Sequence, residues 1–287
     1  MFARFGRGWR IATSSWGVLA RHPALLAFPV CAAIAFGVLF GGLFLGSAAS
    51  PFGAEFVAAL DQPADANPIV WVVAFAVYLV AAFIGIYFNS ALVSCALDAF
   101  AGRTPTVAGG FAAANRRLPQ ILAWAVVAAT VGFLLNLVQG MLRDKLGFLG
   151  SLLGGLLDIA WAVVTYFVVP VLVVDGVGPV EAVRRSSRIL KRTWGESLAG
   201  EGGLGLISMV FVVPVFLAIP LAFLASELSG ALVVVVLSCA VAYFAVVLLV
   251  FSALNAVFRA GTYLYATTGQ VPAELDAKLV AHAFHAK

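Results

Sequence analysis

Six long apolar runs decide what this chain can fold into. Each run holds enough residues for a helix that crosses a bilayer, which needs roughly 20. A water-soluble core cannot cover six helices that are apolar around their whole circumference, so lipid must be the solvent of these segments. The sequence therefore predicts an all-α, polytopic bundle of six transmembrane helices, with spans near 24–49, 69–98, 118–142, 147–174, 203–226 and 230–262.

Composition supports a membrane fold and argues against a soluble one. The chain is 63% hydrophobic and only 10% charged, whereas a soluble domain is about 25% charged. Its net charge of +4 comes from basic residues that flank the apolar runs, so we expect no nucleic-acid partner. We interpret 1–287 as a single membrane domain: an N-terminal interfacial segment (1–23), the six spans with their loops (24–266) and a tail (267–287).

The basic residues also predict an orientation. Fifteen of the seventeen Lys and Arg lie in four alternating segments, whereas the segments on the opposite side carry two, Arg143 and Lys145. By the positive-inside rule both termini are expected in the cytoplasm. The first apolar run starts after 23 residues and is too long for a signal-peptide core, so we expect no cleaved signal peptide.

A GxxP pattern follows each even-numbered span and predicts an internal repeat. Glycine ends a helix and proline begins the next, so each pattern predicts a tight turn into a new helix. The expected unit is a short basic interfacial helix followed by an outward and a returning span, written three times. The three patterns lie at Gly102–Pro105, Gly176–Pro179 and Gly269–Pro272. The N-terminal segment is expected to be the first interfacial helix, 105–117 and 179–194 the second and third, and the tail a truncated fourth.

These short helices predict contact with lipid headgroups. In 179–194, apolar residues such as Val183 and Leu190 recur at helical spacing, with the cations on another side, as in a helix that lies in the membrane interface. The alternative is that the charges only fix topology or pair with Asp175, Glu181 and Glu196. The residues expected to contact anionic headgroups are Arg184, Arg185, Arg188, Lys191, Arg192 and Trp194, together with Arg116 and Arg117.

Polar residues inside the spans are the candidates for a functional path, because ionisable groups in lipid are costly and usually functional or paired. They are Asn89, Asp98, Asp158, Asn255 and Arg259. Matching depths predict an Asp98–Arg259 ion pair. Asp158 would coordinate a cation or a proton, or else it reaches water or Arg143. The same residues would alternatively form helix-to-helix hydrogen bonds that fix the packing.

No catalytic, metal or cofactor motif accompanies these residues. The histidines lie in terminal and loop segments, the three cysteines are far apart, and no zinc, nucleophile-elbow or phosphate-loop pattern occurs. We therefore expect no catalytic residues, metal or cofactor. GxxxG pairs allow close helix approach, either within the monomer or in a homo-oligomer or a complex with another membrane partner; they are Gly37/Gly41, Gly42/Gly46 and Gly150/Gly154.

Two stretches resemble a known family. YFVVPVLVVDGVGPVEAVRRSSRILKRTWGESL and FGRGWRIATSSWGVLARHPALLAFPV resemble an uncharacterised family of prokaryotic six-span membrane proteins, a domain of unknown function. The layout is also similar to the membrane module of some glycerophosphodiester phosphodiesterases. The resemblance implies a helical fold in the inner (plasma) membrane of a prokaryote and assigns no chemistry. No phosphodiesterase domain follows in this sequence, so we do not expect that activity.

Together these observations favour a non-catalytic membrane protein, a scaffold or a lipid-contacting module with basic helices on the cytoplasmic leaflet. The alternative is a small-molecule or lipid transporter with a polar path between spans two, four and six. An intramembrane enzyme has the least support, because the spans carry no paired carboxylates and no histidine cluster. A polar cavity that reaches mid-membrane would favour transport, and tight packing by small residues would favour a scaffold.

Overall fold

A computed structural model describes residues 15–48, 68–226 and 229–269, with the backbone alone at 48, 192–200 and 224–226. Its described residues are helical or lie in turns, with no strand among them. After a short 3₁₀ turn at Pro23–Leu26, the helices are α1 (Ala27–Ala48), α2 (Pro68–Phe100), α3 (Val107–Arg116), α4 (Leu118–Leu146), α5 (Phe148–Thr165), α6 (Val168–Asp175), α7 (Pro179–Ser226) and α8 (Gly230–Thr268).

Six stretches of these helices are long and apolar enough to cross a membrane. Large apolar side chains remain exposed along them, such as Phe44 at 72% and Phe223 at 74%, as expected where lipid is the solvent. The prediction of an all-α, multi-pass membrane fold is confirmed. The spans are Pro23–Ser47, Pro68–Phe100, Leu118–Leu146, Phe148–Asp175, Glu201–Phe223 and Gly230–Thr268, here numbered one to six.

The chain forms two compact units. The first comprises the described parts of 1–29, 95–107 and 191–287, and the second comprises those of 30–94 and 108–190. In the first unit the C-terminal half of α8 provides the core, with Ala253, Val257 and Ala260 all fully buried. These small side chains allow close packing, and the 3₁₀ turn at Pro23–Leu26 packs against α8.

Aromatic contacts and glycines hold the second unit together. Helices α4 and α5 form a tight hairpin through Gly147, which adopts a positive φ of 54°. Phe133 of α4 packs edge-on against Trp71 and Phe75 of α2. The short helix α3 docks on α2 by stacking Phe111 against Tyr87.

Span four is broken between α5 and α6, at Tyr166 and Phe167. Pro170 has no backbone N–H to bond the Tyr166 carbonyl, and its ring clashes with that carbonyl in a regular helix. The break frees other backbone groups, which a side chain from α7 satisfies. Ser186 is fully buried, accepts a hydrogen bond from the Phe167 N–H (2.9 Å) and donates one to the Val164 carbonyl (2.8 Å).

All three GxxP glycines end a helix in the left-handed conformation, as predicted. The φ angles are 72° at Gly102, 64° at Gly176 and 71° at Gly269. A short helix, α3, follows the first turn at Val107–Arg116. The predicted N-terminal interfacial helix (1–23) is described only from residue 15, and its residues 15–21 are helical. The tail beyond 269 lies outside the described residues, so the full three-fold repeat stays a prediction.

The segment 179–194 differs from the expected short separate helix. It is the beginning of α7, which runs unbroken for 48 residues into span five, about 72 Å at 1.5 Å per residue. Between Pro179 and Pro214 no proline interrupts it, and the glycines from Gly195 to Gly205 cost only about 1 kcal/mol each without removing a backbone hydrogen bond. The segment is therefore an extension of a span, whereas α3 is a helix of its own.

Candidate functional site

Asp158 lies well inside span four. It is eleven residues from the Gly147 turn, which places it about 16 Å along the helix, about a third of the way along the span. Its carboxylate accepts one hydrogen bond, from Nε2 of Gln139 at 2.7 Å. Asp158 and Gln139 therefore form a polar cross-link between α4 and α5.

A glycine allows this cross-link to form. Gly154 lies one helical turn before Asp158 on the same face of α5, and the Gln139 side chain passes over it. A methyl group on Gly154 would lie 2.9 Å from Cγ of Gln139, too close for the present path of that side chain. Gly150 approaches the α4 backbone so closely that an added methyl would overlap the Leu142 carbonyl. The Gly150/Gly154 pair is thus used for packing within the monomer.

The Asp158 side chain is exposed and borders a wide-open cavity of about 340 Å³. The walls come from α2, α4 and α5, and most of the side chains are apolar. The polar groups besides Asp158 are the Tyr78 hydroxyl and the Asn136 amide, which itself donates to the Gly132 carbonyl at 2.9 Å. The lining residues are Tyr78, Ala82, Gly85, Ile86, Ala128, Gly132, Leu135, Asn136, Asp158 and Trp161.

Two aromatic side chains of the cavity are held in place. Trp161 stacks on Trp124, with ring centroids 5.9 Å apart and planes 24° apart, and Trp124 is only 4% exposed. The Tyr78 phenol lies directly over Gly132, where an added methyl would overlap its tip and lie 3.2 Å from its Cε1. Both rings thus reach the cavity from packed helices.

The Asp158 carboxylate has no cationic partner among the described residues. The structure does not show the alternative pairing with Arg143, because Gln139 is the partner, whereas the exposed side chain leaves the alternative contact with water open. Arg143 lies four residues before Gly147, in the last turn of α4, whereas Gln139 is one turn deeper. The site is therefore an acidic, partly apolar cavity with one carboxylate oxygen still available.

The predicted Asp98–Arg259 pair is replaced by two others. Asp98 pairs with Arg103, whose Nε lies 3.0 Å from Oδ1 and which follows only five residues later at the end of α2. Arg259 pairs with Glu201, with Nε 3.0 Å from Oε1. The sequence interpretation missed Glu201 because it placed this residue in a loop, whereas the unbroken α7 carries it to the level of Arg259.

The remaining members of the predicted path do not gather around Asp158. Asn89 and Asp158 both belong to the second unit, and Asn89 is not among the residues that line the cavity. The Asn255 side-chain oxygen is buried in the first unit without a hydrogen-bond partner. Of the five predicted polar residues, Asp158 is the one that lines this cavity.

A second polar cluster surrounds Gly176, at the other end of span four. Arg117 donates hydrogen bonds to the carbonyls of Val173 (3.1 Å) and Val174 (3.2 Å). These carbonyls lie in the last turn of α6, where a cation is favoured by the helix dipole. The amide of Gln120 donates to the Gly176 carbonyl at 3.3 Å. The GVGP turn is thus fixed from the first turn of α4.

Arg185 completes this cluster from α7. It lies 2.6 Å from Asp175 and 2.9 Å from Glu181. The hydrogen bond from Arg185 lowers the pKa of the Glu181 carboxyl below its ordinary value of 4.5, and the two carboxylates raise the pKa of the Arg185 guanidinium. For Arg185, these contacts favour pairing with carboxylates of the protein over contact with lipid headgroups.

Three other cations on α7 are exposed, and one of them, Arg184, also lies 3.6 Å from Glu181 of the same helix. Arg184, Arg188 and Lys191 are exposed and recur at helical spacing, so they share one face, which we call the cationic face. On the opposite face Ala182 and Ser186 are fully buried, and Leu190 is 2% exposed. The expectation that Leu190 inserts into lipid is wrong, because this side of the helix packs against the protein.

The sequence interpretation missed most of the residues that build these two sites. Gln139 and Asn136 could have been recognised from the sequence, because they are polar residues inside an apolar run. Tyr78, Trp161 and Ser186 carried none, since aromatic and serine side chains are common in membrane helices. Among the described residues, no group of three or more His, Cys, Asp or Glu could hold a metal ion.

No curated protein and no solved structure matches the chain, so the likeness to the membrane module of glycerophosphodiester phosphodiesterases stays a prediction. A family model described as "Family of unknown function (DUF6159)" matches residues 68–273. The match covers more than half of the chain, from span two to beyond span six. The chain therefore belongs to this family of unknown function.

Proposed function

We propose that this protein is a non-catalytic membrane protein whose cationic face (Arg184, Arg188 and Lys191) contacts anionic headgroups of the cytoplasmic leaflet. The observation that supports it is the division of α7 into two faces. Cations point outward on one side while the other side is buried in the protein. The cationic face is thus exposed to a partner outside the helix.

The buried opposite face changes the expected mode of binding. Since Leu190 and Ala182 are already packed, the apolar side that carries them is not available to insert between lipids. The attraction is then electrostatic, about 1 kcal/mol per cation near an anionic surface, and it decays over roughly 10 Å at 0.1 M salt. We expect a salt-sensitive contact in which the protein's own packing orients the cations.

The other predicted lipid-contacting residues divide into two groups. Arg117 and Arg185 are engaged with the protein, through the α6 carbonyls and two carboxylates. Arg116, on α3, is exposed, and we include it in the proposed contact with headgroups. The side chains of Arg192 and Trp194 lie outside the described residues, and their contact with lipid stays a prediction.

Spin-labelled lipids in nanodiscs that contain the full chain test this proposal. The wild-type protein should immobilise spin-labelled phosphatidylglycerol more than phosphatidylcholine, and rising salt should remove the preference. Replacing Arg184, Arg188 and Lys191 together by Gln should abolish most of it. Arg185→Gln is the matched control, which should keep the preference. An unchanged preference in the triple variant would contradict the proposal.

The orientation belongs to the same proposal. The asymmetry of basic residues supports cytoplasmic termini and a cationic face on the cytoplasmic side. Reporter fusions at Pro63 and at Lys287 should report outside and inside respectively, because five spans separate the two points. The same location for both fusions would remove the cytoplasmic assignment.

A second candidate function is transport of a small molecule, and the cavity beside Asp158 favours it. A carboxylate, an amide and a phenol border a wide-open space, and the carboxylate lies about a third of the way along span four. Ionisable groups at such depth usually mark substrate or ion paths. Proteoliposomes with the wild-type chain should take up a labelled substrate that Asp158→Asn proteoliposomes do not; equal uptake would contradict transport through this cavity.

A further inference from the structure

We infer that the cavity beside Asp158 is a binding site for an organic ammonium cation, recognised by the Asp158 carboxylate and the rings of Tyr78 and Trp161. This site is separate from the lipid-contacting face, and it requires binding only, whether or not the ligand crosses the membrane. Four observations on the second unit support it: the charge of Asp158, the aromatic lining, the number of oxygen ligands and the size of the space.

The carboxylate provides the first argument. An ionised group about 16 Å from the Gly147 turn is costly in a membrane unless a partner compensates it. Gln139 supplies one neutral hydrogen bond, and no Lys, Arg or His of the described chain forms an ion pair with Asp158. The uncompensated negative charge faces the cavity, so a cation there would gain a charge-assisted contact.

The aromatic lining provides the second argument. Tyr78 and Trp161 border the same cavity as Asp158. An ammonium group is attracted to the face of a tryptophan or tyrosine ring, and desolvated sites strengthen that attraction. The Trp161 ring stacks on Trp124, and the Tyr78 ring lies against Gly132. These contacts reduce the conformational entropy that the two side chains lose when a ligand binds.

The oxygen ligands of this site are too few for a bare Ca²⁺-like divalent ion. Hard divalent cations such as Ca²⁺ take about six to eight oxygen ligands. Side chains of the cavity offer the two carboxylate oxygens of Asp158, the Asn136 amide oxygen and the Tyr78 hydroxyl. The remaining walls are alanine, glycine, leucine and isoleucine side chains, which suit the carbon body of an organic cation.

The volume agrees with a small ligand. Sites for small molecules occupy about 300–1,000 Å³ and are mostly apolar with a few polar groups. The cavity of about 340 Å³ lies at the small end of that range. It therefore suits a single ammonium group with a compact apolar substituent rather than a whole phospholipid.

Calorimetric titration of benzyltrimethylammonium into nanodiscs of phosphatidylcholine that carry the full chain tests this inference. Empty nanodiscs provide the blank, and the zwitterionic lipid removes attraction to anionic headgroups. We expect saturable binding of one cation per chain. Neopentylbenzene, which has carbon in place of the nitrogen, should not displace it. Absence of saturable heat, or displacement by neopentylbenzene, would overturn the inference.

Two pairs of variants locate the site. Asp158→Asn keeps an acceptor for Gln139 but removes the charge, and it should bind at least about tenfold more weakly. Asp144→Asn, near the Gly147 turn, removes a carboxylate outside the cavity and should bind like the wild type. Gly132→Ala should weaken binding several-fold by displacing the Tyr78 ring, whereas Gly140→Ala on the same helix meets nothing within 4 Å.

The variants also separate loss of binding from loss of folding. Each is titrated only after its helix content and unfolding midpoint have been compared with those of the wild type. Wild-type affinity in Asp158→Asn would overturn the inference. Equal affinities of Gly132→Ala and Gly140→Ala would show that the Tyr78 ring does not contribute to binding of the cation. A failure of the headgroup experiment would leave both results unaffected, because that experiment reports on α7 alone.

Discussion

The two aspartates of span four have opposite surroundings. Asp175, at the Gly176 end, lies 2.6 Å from Arg185, in a cluster that also fixes the following turn. Asp158, on the Gly147 side, has a neutral amide as its partner and a cavity beside it. The comparison teaches that a carboxylate with an ion-pair partner is explained by the fold. A carboxylate left without one at membrane depth requires a ligand, a proton or water.

The backbone at the two ends of span four is held by different means. Near Gly147, the helices α4 and α5 touch through glycines, with backbone against backbone. Near Gly176, polar side chains from α4 and α7 bind the turn and the break in the helix. Glycine packing leaves space beside the hairpin, and the cavity lies there. Polar side chains fill the other end.

Gly150→Ala should give the largest effect, at the glycine-packed end. The added methyl would overlap the Leu142 carbonyl and lie 2.8 Å from the Arg143 nitrogen, so the two helices must separate. We expect a loss of about 2–3 kcal/mol in the free energy of unfolding, measured by reversible unfolding in detergent. Gly155→Ala, which meets nothing within 4 Å, is the control; equal stability of the two variants would refute backbone contact at this end.

Ser186→Ala should have the next largest effect, at the polar end. It leaves the Phe167 N–H and the Val164 carbonyl without their partner at a buried position, at a cost of about 2 kcal/mol. Ser187→Ala is the control, because the Ser187 hydroxyl donates only to the Val183 carbonyl of its own helix. Hydrogen exchange should also rise at Phe167 in the first variant. If both variants unfold alike, Ser186 does not hold the break.

Arg117→Met should produce a smaller loss at the same end. The guanidinium caps two carbonyls of α6, a contribution of about 1 kcal/mol, while the methionine keeps much of the side-chain length. Arg116→Met, at an exposed position, should change the free energy of unfolding little. A larger loss of stability in Arg116→Met than in Arg117→Met would contradict the assignment of Arg117 as the residue that caps α6.

The smallest effect concerns the Glu181 carboxylate and pH. Because the hydrogen bond from Arg185 lowers its pKa in the folded protein, its stabilisation is complete above the unfolded pKa and is lost as pH falls through the lower folded pKa. The unfolding midpoint should therefore fall slightly on acidification below pH 4.5. Glu181→Gln should flatten this part of the profile, and an unchanged profile would show that the pair contributes nothing.

The sequence by itself determined the architecture. Apolar runs of about 20 residues predict helices in lipid, because a helix satisfies its backbone hydrogen bonds within the segment. The observed spans differ from the expected ones by a few residues at most ends. The three helix-ending glycines were also determined locally, because a left-handed turn favours glycine. These features depend on neighbouring residues in the chain, which a sequence displays directly.

Only the tertiary structure decided which polar groups meet. Asp98, Arg259 and Asp158 were recognised from the sequence, but their partners Arg103, Glu201 and Gln139 were not. A difference of one helical turn, or an unbroken α7 in place of a loop, changes which side chains come within hydrogen-bond distance. Which polar side chains pair depends on which helices pack together and on how each helix is rotated about its axis. The apolar pattern of a lipid-exposed helix determines neither the packing partner nor the rotation.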